Sequence, residues 1–188
     1  MEFLTLANKY SVSLVKDIPM HLFKVNRGKS RILIETLRAD WEGMYGENKK
    51  IAIQYFSVTY SGAARDKMLR HSRLRQEDRF LVVQDEIVVA VVDSRQDLEA
   101  LGFLNLFHMK VDADLCILLI PKGALHGFLV FSDTPAILLN FPTCLYDVSD
   151  EQHMPYDRFR IKDFDVSMFS WDRVREKFSL KHASNEKS

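Results

Sequence analysis

The chain has little cysteine, no excess of either charge and no long apolar run, and each shortage removes a class of protein. Its two cysteines, Cys116 and Cys144, lie far apart inside apolar segments. That spacing supplies neither a disulfide framework nor a zinc site, so two buried thiols in a reducing compartment are expected. Lys and Arg together number 26, as do Asp and Glu. The balance argues against a broad basic face for nucleic-acid binding, while leaving room for local phosphate sites. No apolar run approaches the ~20 residues of a membrane span, and the N-terminus lacks the charged, apolar and small-residue succession of a secretory signal. A cytoplasmic protein with no membrane partner is the expectation. There is no repeat of fixed period. At 188 residues the chain can bury a core without metal or disulfide staples. One domain over residues 1–180 is expected, with a flexible polar tail over 181–188.

What is present reads mostly as short strands. Phe3 to Leu6, Val12 to Val15 and His21 to Val25 open the series, and "NRGKS" reads as a turn. Arg31 to Leu37 and Ile51 to Tyr60 alternate as half-buried strands, with a loop around Asp40, Trp41, Gly43 and Gly46 between them. "FLVVQDEIVVAVVDSR" holds two β-branched runs around Gln84-Asp85, a hairpin signal. "LNLFHMK", "LCILLIPKG", "HGFLVFS" and "AILLNFP" add four more strands. No long segment of 3.6-residue period precedes Trp171, and Trp171 to Phe178 fits one amphipathic helix. The pattern predicts an all-β protein, a jelly roll closed around a pocket, with a short C-terminal helix.

Several polar residues interrupt this apolar background. The segment Gly62 to Phe80 is too rich in Arg and Lys to be core. It is either a solvated edge or a set of guanidinium forks converging on an anion at a barrel mouth. His126 follows the Pro-Lys-Gly turn and precedes Gly127, which permits close approach of a ligand. Tyr146 begins "YDVSDE" at a strand end. A metal-binding double-stranded β-helix needs a close His pair, a carboxylate and a distant His. Here Arg73 stands two positions after His71, where a second ligand would be required, so no metal is expected.

Taken together these segments resemble the dTDP-4-dehydrorhamnose 3,5-epimerase family, the metal-free sugar-nucleotide epimerases of the cupin superfamily. "RILIETLRADW", "ARDKM…RQEDRFLVV…VAVVDSR", "IPKGALHGFLV", "LLNFPTCLYDVSDE" and "FSWDRVR" carry the likeness over most of the chain. It implies a cupin-type double-stranded β-helix, a homodimer that exchanges an N-terminal strand, no cofactor, and a nucleotide-sugar substrate, with dTDP as the nucleotide. The implied reaction takes a proton from a carbon beside the 4-ketone of a 6-deoxyhexose and returns one from the opposite face, in deoxysugar and polysaccharide biosynthesis. By the same resemblance Tyr146 is the acid, and Asp172 the acidic partner of the base. Arg65, Arg79, His126, Glu35 and Lys122 contact substrate. Two registers are open for the base. Counting forward from Ala64-Arg65-Asp66 puts Leu69 at its position and His71 on a second His. Counting back from Gln76, Asp78, Arg79 and Phe80 puts His71 there. A related ketoisomerase, or a cupin that has lost its base and binds sugar nucleotides or a protein partner, are the alternative readings.

Overall fold

The computed structural model describes residues 2–4, 18–41, 43–65, 71–95, 104–111, 115–153 and 170–176. Among the described residues are fourteen short strands: β1 (Glu2–Leu4), β2 (Met20–Leu22), β3 (Val25–Arg27), β4 (Ile32–Ile34), β5 (Tyr55–Thr59), β6 (Ala64–Arg65), β7 (His71–Arg73), β8 (Asp78–Gln84), β9 (Glu86–Asp93), β10 (Leu104–Lys110), β11 (Cys116–Ile120), β12 (Ala124–Val130), β13 (Ala136–Asn140) and β14 (Glu151–His153). Seven of them form one wall in the order β1-β10-β9-β12-β7-β14, with β6 also on β12. Five form the facing wall in the order β2-β11-β8-β13-β5, and β3 with β4 makes a separate ribbon. All the pairings are antiparallel. This is the expected jelly roll.

Between the walls lies an apolar filling to which β8 to β13 contribute alternate residues. Phe80 and Val82 of β8, Val89 and Val91 of β9, Leu118 and Ile120 of β11, Phe128 and Val130 of β12, and Leu138 of β13 meet there. The intervening residues face outward, and both outer faces are covered as well. Val88, Ala90 and Val92 of β9 with Leu125 and Leu129 of β12 pack beneath Trp171 and Val174. Those two residues belong to a helix over residues 171–176, α1, and their spacing places them on one helical face. Leu81, Ile117 and Leu119 are covered by Phe23, Met44 and Phe141. β9 is consequently buried along its whole length, and each fully buried Val or Ile adds about 1.5–3 kcal/mol of apolar burial.

Two sequence expectations change. β8 and β9 are not a hairpin: β8 pairs with β11 and β13, β9 with β10 and β12. The joint between them is the single residue Asp85, whose left-handed φ of 64° turns the chain from one wall to the other. The run from Arg31 to Leu37 also shortens, to the three residues of β4, because it leaves the β3–β4 ribbon before Glu35. The expected strand at Val12 to Val15 and the tail from 181 to 188 lie outside the described residues.

Candidate active site

Polar residues of inward parity gather at one end of the barrel. β8 begins with Asp78 where the filling is otherwise Phe80 and Val82, and β13 ends with Asn140 after Ala136 and Leu138. The register sets Asn140 against Phe80 on one side and Tyr55 on the other. From the facing wall comes His126, two residues before Phe128 on β12. These side chains, with Ser57 and Arg65, line an inner cavity of about 100 Å³. An outer cavity of about 320 Å³ is lined by Tyr55, Arg65, Arg73, Gln76, Tyr146 and Glu151, among others. Tyr55 and Arg65 line both, so the two volumes form one mouth.

A hydrogen-bonded chain ties the inner cavity together. Asp78 Oδ1 accepts from Gln76 Nε2 at 2.7 Å and from Asn140 Nδ2 at 2.8 Å. Asn140 Nδ2 also donates to Tyr55 Oη at 2.7 Å. His126 is 5% exposed and stands edge-on to Phe80, their ring centroids 5.7 Å apart. Its Nε2 is 3.7 Å from Asp78 Oδ2. Burial raises the pKa of Tyr55 above the ordinary phenol value, opposed by the Asn140 hydrogen bond. At the outer cavity Tyr146 Oη donates to Glu151 Oε2 at 3.1 Å, and this bond is the main cause of its raised pKa. The Arg73 guanidinium lies 5.1 Å from the Tyr146 ring centroid and 3.6 Å from Glu151. Among the described residues, no group of three or more His, Cys, Asp or Glu is disposed to hold a metal.

The structure brings Arg65, His126 and Tyr146 to this mouth. Residue 71 belongs to β7, its backbone paired with that of His126 on one side and of His153 on the other. Leu69 lies outside the described residues. Four other expected site residues are placed elsewhere. Arg79 is 0% exposed and on the opposite face of β8 from Asp78, donating to the carbonyls of Met44 at 2.6 Å, Phe141 at 3.2 Å and Lys49 at 3.3 Å. The period of two along a strand is the reason: if Asp78 faces in, its neighbour faces out. Glu35 is an exposed residue bonded to Arg38 at 3.0 Å. Lys122 is exposed on the turn between β11 and β12 and lines neither cavity. Asp172 is 84% exposed on α1, outside the seven-stranded wall, and pairs with Arg175 at 2.8 Å.

Tyr55, Arg73, Gln76, Asp78, Asn140 and Glu151 were not singled out from sequence. A signal existed for two of them. Asp78 and Asn140 each occupy an inward-parity position of a run whose other inward residues are apolar, and a polar residue there marks a cavity or a buried network.

An antiparallel double sheet with an imidazole, a carboxylate and phenols about one end defines the class by its fold: a jelly roll of the cupin type. No family model matches the chain. Over 146 residues it is 32% identical to the "probable low-salt glycan biosynthesis epimerase" of Haloferax volcanii, a match spanning 76% of this chain and 89% of that protein. It is 33% identical over 89 residues to a spore coat polysaccharide biosynthesis protein of Bacillus subtilis, 46% of this chain and 58% of that protein. Among solved structures, the dTDP sugar isomerase of Desulfovibrio desulfuricans superposes with a TM-score of 0.70 at 22% identity, covering 84% of this chain and 92% of that one. The dTDP-6-deoxy-D-glucose-3,5-epimerase of Legionella pneumophila, solved with dTDP-4-keto-L-rhamnose, gives 0.67 at 18% identity, covering 90% and 85%. The chain belongs to the family of that glycan biosynthesis epimerase, and its fold is that of the dTDP-4-dehydrorhamnose 3,5-epimerases.

Proposed function

We propose that this protein epimerises a 4-keto-6-deoxyhexose carried on a nucleoside diphosphate, dTDP being the nucleotide that the resemblance implies. The observation that carries the proposal is the joint lining of one mouth by His126, Asp78, Tyr55, Tyr146 and the guanidinium-bearing residues Arg65 and Arg73. A proton beside a ketone becomes acidic only when the enolate oxygen meets a donor already in place, and a base must stand within reach of the carbon. Arg65, shared by both cavities, is positioned for that oxygen or for the diphosphate, whose geometry the guanidinium fork matches. The base belongs to the β7–β12 junction, where residues 71 and 126 are register partners. His71 is the base implied by resemblance, and Tyr146 the implied acid at the outer rim. A homodimer acting in the cytoplasm, in the assembly of a polysaccharide or glycan, completes the proposal.

The test is incubation with dTDP-4-keto-6-deoxyglucose in deuterium oxide. Deuterium should appear at the carbons flanking the ketone, and Arg65→Ala should weaken turnover at least tenfold, the scale of a lost charge-assisted contact of ~1.5–3 kcal/mol. A protein that binds the nucleotide sugar without exchanging its protons would instead be a binding subunit.

A further inference from the structure

One acceptor at the inner cavity has no donor from the described residues. Asp78 is 3% exposed and lines that cavity together with Tyr55, Ser57, His126 and Asn140. A carboxylate offers about four acceptor positions, two on each oxygen. Both positions on Oδ1 are taken, by the Gln76 amide at 2.7 Å and the Asn140 amide at 2.8 Å. The second of these is fixed from behind: Asn140 Oδ1 accepts the backbone N–H of Arg79 at 2.9 Å, so the amide nitrogen must face Asp78. Oδ2 stands differently. His126 Nε2, on the facing wall, lies 3.7 Å from it, beyond hydrogen-bond reach, and among the described residues Oδ2 accepts no hydrogen bond.

A buried carboxylate oxygen left in this state is costly, and native interiors rarely tolerate it without a role. The cavity beside it, about 100 Å³, has room for one edge of a sugar ring. Phe80, Phe128 and Leu138 supply the apolar part of the lining, which suits the C–H face of such a ring. What Oδ2 selects is a donor. A ketone oxygen only accepts, and the enolate formed from it is negative, so both are repelled at close range. A hydroxyl has a hydrogen to give.

We infer that Asp78 is a specificity-determining residue, accepting a hydrogen bond through Oδ2 from a ring hydroxyl of the nucleotide sugar. This rests on the epimerase reading above and deepens it by setting which way round the ring lies. The hydroxyl enters first, and the ketone stays toward the part of the mouth that Arg65 lines. The free hydroxyls of a 4-keto-6-deoxyhexose joined to a diphosphate are those on carbons 2 and 3, so the partner of Asp78 is one of these two.

The experiment is calorimetric titration of the unaltered protein and of Asp78→Asn with dTDP, dTDP-4-keto-6-deoxyglucose, and the analogues of that sugar with fluorine in place of the 2- or the 3-hydroxyl. Fluorine is close to hydroxyl in size but has no hydrogen to donate. One of the two analogues should bind the unaltered protein ~10-fold or more weakly than the hydroxylated sugar, the scale of one hydrogen bond to a charged group. In Asp78→Asn, Gln76 and Asn140 keep the amide oxygen on their side, which turns an N–H toward the ligand. The penalty for fluorine should then fall to within about threefold, while dTDP binds both proteins alike. Equal binding of both analogues and the hydroxylated sugar by the unaltered protein overturns the inference, as does a fluorine penalty that persists in Asp78→Asn. Should Asp78→Asn lose dTDP as well, the comparison on the unaltered protein still decides. Deuterium uptake by the hydroxylated sugar, measured in parallel, tests the epimerase reading separately: its absence removes that reading and leaves the fluorine comparison standing.

Discussion

The Tyr45 hydroxyl is buried and has no hydrogen-bond partner among the described residues. Its ring lies under the Arg79 guanidinium, 5.3 Å from centroid to carbon. Burial pushes its pKa from 10.0 up to about 12, against the opposing effect of Arg79. An orphaned buried hydroxyl costs about 1–3 kcal/mol, so Tyr45→Phe should raise stability by about 1 kcal/mol in urea unfolding at neutral pH. The pH dependence has a definite sign. Above pH 10 the unfolded chain loses this proton while the folded chain holds it, so stability falls as pH rises toward about 12. Tyr45→Phe should flatten that part of the profile. At acid pH the opposite case is Asp147, whose pKa is lowered chiefly by the hydroxyl and then the backbone N–H of Ser149. Its contribution is complete above the ordinary aspartate range, about 4, and is lost as pH falls through the lower folded value. Asp147→Asn should remove that acid-side slope in thermal unfolding.

Residue-scale legibility follows from the same physics. His126 and Arg65 could be read because an imidazole beside Gly127 and a guanidinium amid a polar stretch are conspicuous. The resemblance set Arg79 at the substrate, whereas strand parity sends it to the backbone carbonyls of Met44, Phe141 and Lys49. Asp172 was misplaced because the face on which α1 packs is decided by Trp171 and Val174. That choice leaves the carboxylate in water.

Among the elements, α1 depends most plainly on what it packs against. Six residues do not make a stable helix alone, so tertiary packing of Trp171 and Val174 on the outer face of β9 and β12 holds it in place. Trp171→Ala should destabilise the fold by about 3–5 kcal/mol, read as a lowered urea midpoint, and should uncover Val88, Ala90 and Leu125. The strands themselves were legible from period-two patterning, and the helix from its position after a long β succession. Their partners were not. Periodicity reports which side of a strand is apolar, but not whether the next strand joins the same sheet. β8 and β9 look like a hairpin until the left-handed Asp85 is seen to send them to different walls.

At the scale of the molecule, β2 and β5 end the five-stranded wall with apolar side chains in the open. Leu22 is 60% and Phe56 66% exposed, with Met20 and Val58 beside them. Edge strands of this character invite pairing or coverage, and the proposed homodimer is expected to bury part of this surface. Sedimentation equilibrium at micromolar concentration should give twice the chain mass; a monomer there would remove the dimer from the proposal. The architecture as a whole was readable, since turn signals at short intervals leave few alternatives to a closed antiparallel double sheet.

The turn of Pro121, Lys122 and Gly123 joins β11 in one wall to β12 in the other. Gly123 takes a φ of 72°, and a Cβ there would meet the Arg95 side chain at 3.1 Å. This short bridge acts as a ruler for everything after it. Lengthening it by one residue would exchange the two faces of β12, pointing Leu125 and Leu129 into the hollow and turning the imidazole of His126 toward α1. Three residues of loop thereby set whether the barrel has a reactive lining or an inert one.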